Sequence, residues 1–396
     1  MLFLVLFMCV VAGANRYLWL RLVRDTRLGR TSARIATVLI AALAACVPLT
    51  FLVWSIWSRS TAPLINFVAF SWLGLSFYVL LLLAAVDATR VLLWLRRRSK
   101  PLPVPPLPAA GAELATRRVF VARSVAGGAL LAAGSVSAIG MRSALWEITT
   151  PETNVVLPRL PRALDGFSIA LLTDVHIGPL LDGRFLRHLV EKTNRLRPDL
   201  IAIGGDLVDG SVQQIGTHVA ELRRLRSKYG VYFVTGNHEY YAGAGSWSEF
   251  LSSLGIDVLI NRTLSIGDKS KAGASFDLTG VPDVYAGHSG EEEPDMARAV
   301  AGRDPERELI VLAHQPVQIY ASARVGAGLQ LSGHTHGGQL FPFGVLARVG
   351  QPYLAGLYQH KQTDTQIYVS RGSGFWGPPM RVLAPAEISL LRLRSG

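Results

Sequence analysis

The sequence of 396 residues contains only two cysteines, Cys9 and Cys46, and none after residue 150. This scarcity excludes a disulfide framework and a thiolate metal site from the C-terminal part of the chain. Histidine has the opposite distribution, since residues 1–150 contain none and all nine histidines follow them. Chemistry that depends on imidazole groups is therefore expected in the C-terminal part.

Acidic residues are scarce in the N-terminal part of the chain. Residues 1–150 hold 16 Lys and Arg but only 4 Asp and Glu, whereas residues 151–396 hold 24 basic and 24 acidic residues. The net charge of +12 thus belongs to the N-terminal part, where long apolar runs indicate membrane segments. Since the C-terminal part has no net charge, the charge of the whole chain does not indicate a basic surface that binds nucleic acid, and we expect no nucleic-acid partner.

Residues 1–145 are predicted to form a transmembrane region with four spans, at about 2–22, 35–57, 64–95 and 119–141. The first three runs are long enough to cross about 30 Å of hydrocarbon as helices, and the fourth is weaker. Buried helices of a soluble core are one alternative interpretation. A secretory signal peptide is another for the first run, but basic residues follow this run rather than precede it.

The loops between the predicted spans differ in their basic residues. Six arginines lie around the first loop, another basic group lies between the third and fourth spans, and only Arg59 lies between the second and third. Basic loops stay on the cytoplasmic side of a membrane. The chain is therefore predicted to be a multi-pass protein of the cell (inner) membrane, with the lipid bilayer as a partner. The domain after about residue 145 is predicted to be extracytoplasmic.

The stretch "KPLPVPPLPAAGAEL", residues 100–114, is predicted to be an extended, semi-rigid Pro-rich linker. The following "TRRVFVA", residues 116–122, resembles a twin-arginine export signal in front of an apolar segment. An ordinary basic flank of the fourth span is the alternative. Both interpretations place the C-terminal domain outside the cytoplasm.

Residues 160–396 are predicted to form one α/β domain, because short β-rich runs alternate with polar helical patterns. The predicted strands are 168–173, 200–204, 231–234, 256–260, 276–280, 309–313, 328–331, 366–370 and 387–392. The predicted helices are 183–197, 213–228, 246–254 and 316–324. A layered arrangement with helices outside the sheets fits this alternation.

Polar residues follow several of these strands, and α/β folds place their chemistry on such loops. In chain order they are Asp174 and His176 in "DVHIG", Asp206 and Asp209 in "GDLVDG", Asn237 and His238 in "GNHE", His314 in "HQP", and His334 and His336 in "GHTH". Carboxylate, imidazole and amide donors form a mixed set that suits Mn, Fe or Zn. The spacing within "GHTH" allows one ion or two, but all the blocks together supply more ligands than one ion can hold. We therefore expect two divalent metal ions.

The ordered blocks DxH, GDxxD, GNHE, H and GHxH resemble those of the calcineurin-like metallophosphoesterase superfamily over about residues 165–396. The stretch 368–393 is similar to a subgroup of membrane-anchored or exported bacterial phosphoesterases. The resemblance implies a four-layer α/β/β/α sandwich. It also implies that one metal is held by Asp174, His176 and His336, and the other by Asn237, His314 and His334, with Asp206 bridging both. In the same pattern His238 lies near the leaving-group oxygen, and Asp209 accepts its ring proton.

The resemblance implies a membrane-anchored dinuclear-metal phosphoesterase that hydrolyses phosphodiester or phosphomonoester bonds by attack of a metal-bridging hydroxide. Lipid-linked or envelope phosphates are the expected substrates. Gly210 stands where protein Ser/Thr phosphatases of this superfamily carry arginine, which disfavours phosphoproteins. The main alternative is a metal-binding sensor or scaffold module with vestigial catalysis. A transporter is a weaker alternative, because Asp87 is the single acidic candidate within the spans.

Aromatic residues crowd the motifs, and two interpretations of them stay open. They are Tyr240, Tyr241, Trp247, Phe341, Phe343, Phe375 and Trp376. One interpretation is packing in the core. The other is an apolar wall beside the metals that suits a lipid-linked phosphate. The remaining histidines, which are His188, His218, His288 and His360, fit no motif and are expected to be structural.

Overall fold

The computed structural model describes residues 2–56, 63–98, 111–267 and 274–396 of the chain. The chain divides into two compact units. The N-terminal unit extends to Met141, and the C-terminal unit runs from Arg142 to Gly396. Each unit has its own architecture.

The N-terminal unit consists of long apolar helices, and the last of them continues past Met141 into the first residues of the C-terminal unit. They are α1 (Leu2–Trp19), α2 (Arg30–Ile56), α3 (Pro63–Arg98) and α4 (Gly111–Trp146), and α1 continues into a π-helical turn, Leu20–Arg24. By length and composition, these four helices of the described residues could each cross a membrane. This finding indicates a membrane protein. The four predicted spans fall on these helices, except that Trp57 lies outside the described residues.

The predicted Pro-rich linker, 100–114, differs from the structure at its end. As far as residue 110 it lies outside the described residues. Helix α4 then begins at Gly111, so the final residues of the predicted linker are helical. The last proline of the stretch is Pro108, so no proline ring or missing N–H interrupts the helix from Gly111 onward.

Asp87, the acidic residue of α3, is paired within the N-terminal unit. Its carboxylate accepts hydrogen bonds from the Tyr17 hydroxyl at 2.6 Å and from Nη2 of Arg21 at 2.7 Å. An ion pair with satisfied hydrogen bonds is the usual way to keep a charge on an apolar helix. This pairing gives Asp87 a structural partner and adds no support to the transporter alternative.

The C-terminal unit contains two six-stranded sheets. The strands are β1 Ile148–Thr149, β2 Glu152–Leu157, β3 Ser168–Leu172, β4 Leu200–Ile203, β5 Val231–Phe233, β6 Asp257–Val258, β7 Arg262–Gly267, β8 Ser275–Gly280, β9 Leu309–Leu312, β10 Leu329–Ser332, β11 Gly356–Gln359, β12 Gln366–Val369, β13 Ala386–Glu387 and β14 Ser389–Ser395. The first sheet has the order β2-β14-β3-β4-β5-β6 and the second β11-β12-β10-β9-β8-β7, while β1 and β13 form a separate pair. In the first sheet, β3, β4, β5 and β6 pair in parallel, each with the next. In the second sheet, β8, β9, β10 and β12 do the same.

Alternating side chains along the central strands build two faces on each sheet. In β3, Ile169 and Leu171 point into a core shared with the second sheet, whereas Ala170 and Leu172 pack towards helices. The helices of this unit are α5 Gly183–Arg195, α6 Val212–Val219, α7 Asn237–Ala242, α8 Ala244–Ser253, α9 Met296–Ala299, α10 Ile319–Arg324 and α11 Phe343–Gly350. Helices α5, α6 and α8 cover the first sheet, and α9 and α10 cover the second.

These layers confirm the predicted α/β fold with four layers in the order α/β/β/α. Side chains of the central strands β3, β4, β9 and β10 are buried because each sheet is covered on both faces at its centre. The arrangement matters for the site, because the carboxyl ends of parallel strands from both sheets carry its loops.

Candidate metal centre

The nine predicted site residues lie on five segments that follow strands, and Asn237 and His238 form the first turn of α7. Three segments follow β3, β4 and β5 of the first sheet, and two follow β9 and β10 of the second. Hydrogen bonds tie the loops together: the Asp174 N–H donates to the Gly205 carbonyl at 3.0 Å, and the His334 N–H donates to Oδ1 of Asp174 at 2.9 Å. Residues far apart in sequence therefore meet at one edge between the two sheets.

Five of these residues adopt a left-handed backbone conformation that residues other than glycine rarely take. Their φ angles lie between 50° and 68°, and they are Asp174, His176, Asp206, His334 and His336. Left-handed backbone at non-glycine residues costs free energy and concentrates at functional sites. The fold thus holds the backbone of these five residues in a strained conformation, and five such residues meet at this one site.

The first cluster consists of Asp174, His176 and His336, each with one ligand atom within 4.8 Å of the others. The Nε2 atoms of His176 and His336 lie 3.1 Å apart, and Nε2 of His336 lies 3.4 Å from Oδ1 of Asp174. Burial, reinforced by the charges of His176 and Arg381, holds the pKa of His336 well below its usual range. His336 is therefore neutral, which is the form that binds a metal ion.

The second cluster consists of Asp206, His314 and His334, again with ligand atoms within 4.8 Å. Oδ2 of Asp206 lies 3.1 Å from Nε2 of His314, which lies 3.3 Å from Nδ1 of His334. Nδ1 of His314 donates to the Gly204 carbonyl at 2.8 Å, so in the neutral ring Nε2 is the free ligand atom. Burial, with the charge of His314, lowers the pKa of His334 to about 3, so this imidazole is also neutral.

Asp206 lies between the two clusters. Its Oδ2 is 3.9 Å from Nε2 of His176 in the first cluster and 3.1 Å from Nε2 of His314 in the second. Burial alone would raise the pKa of Asp206, but the charges of His314 and His238 outweigh it and hold the pKa well below its usual range. Asp206 is thus an ionised carboxylate at the position that the predicted bridge requires, and the bridge itself stays a prediction.

His238 lies beside both clusters and is joined to Asp209. Nδ1 of His238 lies 2.5 Å from Oδ1 of Asp209, and the backbone N–H of His238 donates to Oδ1 of Asp206 at 2.9 Å. Burial alone would lower the pKa of His238, but the carboxylates of Asp206 and Asp209 together raise it to about 9. The ring therefore carries a proton at neutral pH.

Asp209 contacts a second imidazole that the sequence did not assign to it. Its Oδ1 also lies 3.4 Å from Nδ1 of His176. Burial would raise the pKa of Asp209, but His176 and His238 lower it far more. One ionised carboxylate thus lies beside a residue of the first cluster and accepts a hydrogen bond from the proton-carrying His238. Carboxylates commonly stand behind metal-binding histidines in this way.

Asn237 offers an oxygen that is otherwise unused. Its Oδ1 atom is buried and has no hydrogen-bond partner among the residues that the structure describes. A buried polar atom without a partner costs free energy and calls for an explanation. A cation at the second cluster would provide one. Together with the neutral imidazole of His334 and the ionised Asp206, this amide oxygen fits a divalent metal ion.

Gly333 lets the loop of His334 approach Asp174 closely. A Cβ atom at this position would lie 2.2 Å from Oδ2 of Asp174 and 1.9 Å from the Thr173 hydroxyl oxygen. Any side chain larger than hydrogen would therefore separate the two loops. The glycine in front of "HTH" serves the close packing of the first cluster.

Glu239 has a role that the sequence did not reveal. Its fully buried carboxylate accepts hydrogen bonds from the backbone N–H groups of Asp206, Leu207 and Gly236, at 3.0, 2.8 and 2.6 Å. Burial, with the charge of Asp206, raises the pKa of Glu239 to about 8. The available signal in the sequence was its place as the last residue of the "GNHE" block. Its full burial in the structure distinguishes it from an ordinary acidic residue in the first turn of a helix.

Arg381 is the other residue that sequence reasoning missed. It is 1% exposed and donates to the carbonyls of Gly374 at 2.7 Å, Ala384 at 3.0 Å and His336 at 3.3 Å. Its Nη2 also lies 3.3 Å from Nδ1 of His336. The signal was weak, because Arg381 lies 45 residues after His336 and outside the five blocks.

The structure divides the aromatic residues near the motifs into two groups. Trp247 and Phe375 are buried in the core between the first sheet and its helices. Tyr241 and Trp376 are about half exposed, and their rings lie 5.3 and 5.8 Å from the ring of His238. Phe341 and Phe343 are also exposed. Core packing is therefore confirmed for Trp247 and Phe375, whereas the apolar wall stays a prediction for the exposed residues.

The four histidines outside the motifs lie away from the clusters. None of them joins a group of ligand atoms within the described ranges. His188 and His288 are exposed, and Nδ1 of His360 lies 2.9 Å from the Tyr353 hydroxyl.

Comparison with known proteins identifies a protein family that this sequence resembles. Residues 167–338 match the family model described as calcineurin-like phosphoesterase. An uncharacterized metallophosphoesterase of Helicobacter pylori is 42% identical over 243 residues, which cover 61% of this chain and 63% of that protein. A bovine (Bos taurus) transmembrane protein with metallophosphoesterase domain is 38% identical over 66% of this chain and 60% of its own length. The metallophosphoesterase YkuE of Bacillus subtilis is 30% identical over 63% of this chain and 86% of its own length. The matched region thus spans less than two thirds of the first two of these relatives.

Proposed function

This chain belongs to the calcineurin-like phosphoesterase family, and from that premise we propose that it is a membrane-anchored, dinuclear-metal phosphoesterase. It would hydrolyse phosphodiester or phosphomonoester bonds. The observation that supports this proposal most strongly is the pair of ligand clusters that meet at Asp206. A sensor or scaffold module would need neither two adjoining clusters nor a protonated histidine beside them.

The ligand assignment follows the two clusters. Asp174, His176 and His336 would hold one divalent cation, and Asp206 would contact both. The second cation would be held by Asn237, His314 and His334. Mn, Fe or Zn suits these oxygen and nitrogen donors. When bound, such ions neutralise charge on phosphoryl oxygens and lower the pKa of a water molecule.

His238 would supply the proton for the leaving group. Since its Nδ1 donates to the ionised Asp209, the proton on Nε2 is the one available for transfer. A pKa of about 9 keeps that proton on the ring at neutral pH. Transfer to the departing oxygen turns a poor leaving group, an alkoxide, into an alcohol. The rings of Tyr241 and Trp376 flank His238 and limit its rotation.

The N-terminal helices indicate where in the cell the proposed phosphoesterase acts. Four apolar helices precede the C-terminal unit, and the basic loops of the sequence favour an extracytoplasmic position for that unit in the cell (inner) membrane. Exposed aromatic side chains beside the clusters suit lipid-linked or envelope phosphates.

Hydrolysis by the purified full-length protein in detergent tests the activity. We expect Mn²⁺-dependent release of nitrophenol from bis(p-nitrophenyl) phosphate or p-nitrophenyl phosphate, and loss of that release with a chelator. His188→Ala, a change at an exposed histidine, is the control that should keep wild-type rates. Stoichiometric metal binding without hydrolysis in Mn²⁺, Fe²⁺ or Zn²⁺ would instead establish the sensor or scaffold alternative.

A reporter fused after Gly396 tests the orientation. In a bacterial host, an alkaline phosphatase fusion should be active and a green fluorescent protein fusion dark, because the first folds only outside the cytoplasm and the second only inside. The reverse pattern would contradict the predicted topology and leave the proposed hydrolysis unaffected.

A further inference from the structure

Helix α11 exposes apolar side chains to an unusual degree. No residue of this described helix, Phe343–Gly350, is buried. Val349 is 87% exposed, and Val345 and Leu346 are each about two thirds exposed. Amphipathic helices of a folded unit normally turn such side chains into the core. Here they point the other way.

Two neighbouring apolar residues extend this surface. The backbone N–H of Phe341 donates to the Val382 carbonyl at 3.2 Å, and the Val382 N–H donates to the Gln339 carbonyl at 2.8 Å. These bonds place Leu383, which is 80% exposed, beside the chain that leads into α11. We call the combined surface the apolar face, and its members are Phe341, Phe343, Val345, Leu346, Val349 and Leu383.

Close packing fixes the direction in which α11 faces. A Cβ atom at Gly338 would lie 2.3 Å from Cα of Gly344, so two glycines hold the helix against the loop of His336. With about 3.6 residues per turn, Leu346 and Val349 lie on the side of the helix opposite Gly344, and Val345 lies on the flank next to them. The exposure of the apolar face is therefore set by the fold.

The apolar face adjoins the candidate metal centre. Nε2 of Gln339 donates to the Trp376 carbonyl at 2.8 Å, and the Trp376 N–H donates to Oε1 of Gln339 at 3.0 Å. Trp376 in turn contacts the ring of His238. Residues 339–350 thus connect the metal loop, the ring beside His238 and the apolar face in one continuous segment.

The chain itself indicates what covers this surface. Strand β1 begins at Ile148, two residues after α4 ends at Trp146, so a membrane-spanning α4 would hold the C-terminal unit at a bilayer. Six large exposed apolar side chains mark an interaction site rather than an ordinary soluble surface. Helix α11 also carries Arg348 and no acidic residue, which matches anionic lipid headgroups.

We propose that the apolar face docks on the surface of the bilayer that holds the N-terminal helices, and so brings the metal centre to phosphate groups of membrane lipids. This inference rests on the proposed function, because it treats the metal centre as a site of phosphate-ester hydrolysis. The docking itself has a readout that needs no activity.

Spin-label accessibility in the full chain tests the docking. Cys9 and Cys46 are replaced by alanine, and a label is placed at Val349→Cys or, as a control, at the exposed Arg184→Cys. The protein is reconstituted at one copy per nanodisc of phosphatidylethanolamine and phosphatidylglycerol. The label at residue 349 should gain collisions with oxygen and lose collisions with a water-soluble nickel chelate, relative to the control. Equal access at both positions would overturn the proposal, and so would shielding that occurs only with two copies per disc.

Activity on two probes tests the consequence for substrate. In the double variant Leu346→Glu/Val349→Glu, kcat/KM for dye-labelled phosphatidylglycerol in vesicles should fall at least about tenfold, because two buried apolar contacts are lost. Hydrolysis of bis(p-nitrophenyl) phosphate should stay at the wild-type rate. Equal losses on both probes, or none on the lipid, would overturn the proposal. If the wild-type protein hydrolyses the soluble diester but not the lipid, the docking proposal is overturned and the proposed phosphoesterase activity still stands. If the wild-type protein hydrolyses neither probe, the proposed function itself is contradicted.

Discussion

The first cluster of the metal centre is supported by charged side chains, whereas the second is supported mainly by the main chain. Asp209 lies beside His176, and Arg381 lies beside His336. In the second cluster, Nδ1 of His314 donates to a backbone carbonyl. Asp209 also holds His238, so the first cluster shares a carboxylate with the proposed proton donor. From this difference we expect that removing the charge of Asp209 affects both the metal affinity of the first cluster and proton transfer by His238. We expect no single charge to have such a double effect through the second cluster.

The largest effect is expected where the two clusters meet. Asp206→Asn removes the charge that both clusters share, so both cations should bind poorly and turnover should fall to background. Metal content per chain, measured by inductively coupled plasma mass spectrometry after dialysis, checks this expectation. Asp364→Asn, at an exposed aspartate, is the matched control. Two retained ions in the Asp206 variant would contradict the bridge.

His238→Ala should separate turnover from metal binding. The side chain carries the proposed proton but belongs to neither set of assigned ligands, so kcat should fall about 10²–10⁴-fold while both ions remain bound. Steady-state kinetics and metal analysis on the same sample measure the two quantities. Loss of an ion in this variant would show that His238 is a ligand.

Asp209→Asn should distinguish the two clusters. The substitution removes the carboxylate charge beside His176 and weakens the acceptor for His238, so affinity for the first cation should fall about 10–100-fold while the second changes little. A calorimetric Mn²⁺ titration that resolves two binding steps measures both affinities. Equal weakening of the two steps, or of neither, would break the comparison between the clusters.

Arg381 should give the smallest effect. Arg381→Met leaves the carbonyls of Gly374, Ala384 and His336 without a donor, which should lower the free energy of unfolding by about 1–3 kcal/mol. Thermal unfolding of the detergent-solubilised protein checks the stability, and the same Mn²⁺ titration should show a few-fold weakening at the first step only. Arg381→Lys should restore part of both. A variant with wild-type unfolding and binding would leave Arg381 without the assigned role.

Much of the fold was predictable, because its central strands are short apolar runs bounded by glycine and polar residues. The predicted strand 200–204 corresponds to β4, and the predicted strand 309–313 corresponds to β9. Strand β7, Arg262–Gly267, was missed because it lies at the edge of a sheet, where only Ile266 is buried and the alternation is limited to Leu264 and Ile266. Strand β11 was missed for the same reason, since none of its residues is buried.

The members of the site were also predictable, whereas the contacts that support them were not. Each of the nine residues follows a strand, and parallel strands deliver their loops to one edge. Which carboxylate orients which imidazole depends on distances across the folded unit, so the contact of Asp209 with His176 was invisible in sequence. The burial of Trp247 and the exposure of Trp376 depend on packing in the same way.

The central claim is that two cations lie between these loops and share Asp206. Anomalous diffraction from crystals of the manganese-loaded protein, collected on either side of the manganese edge, tests it most directly. The account predicts two peaks, one beside Asp174, His176 and His336 and one beside Asn237, His314 and His334, each within bonding distance of Asp206. A single peak, or none, in protein that hydrolyses phosphate esters would contradict it.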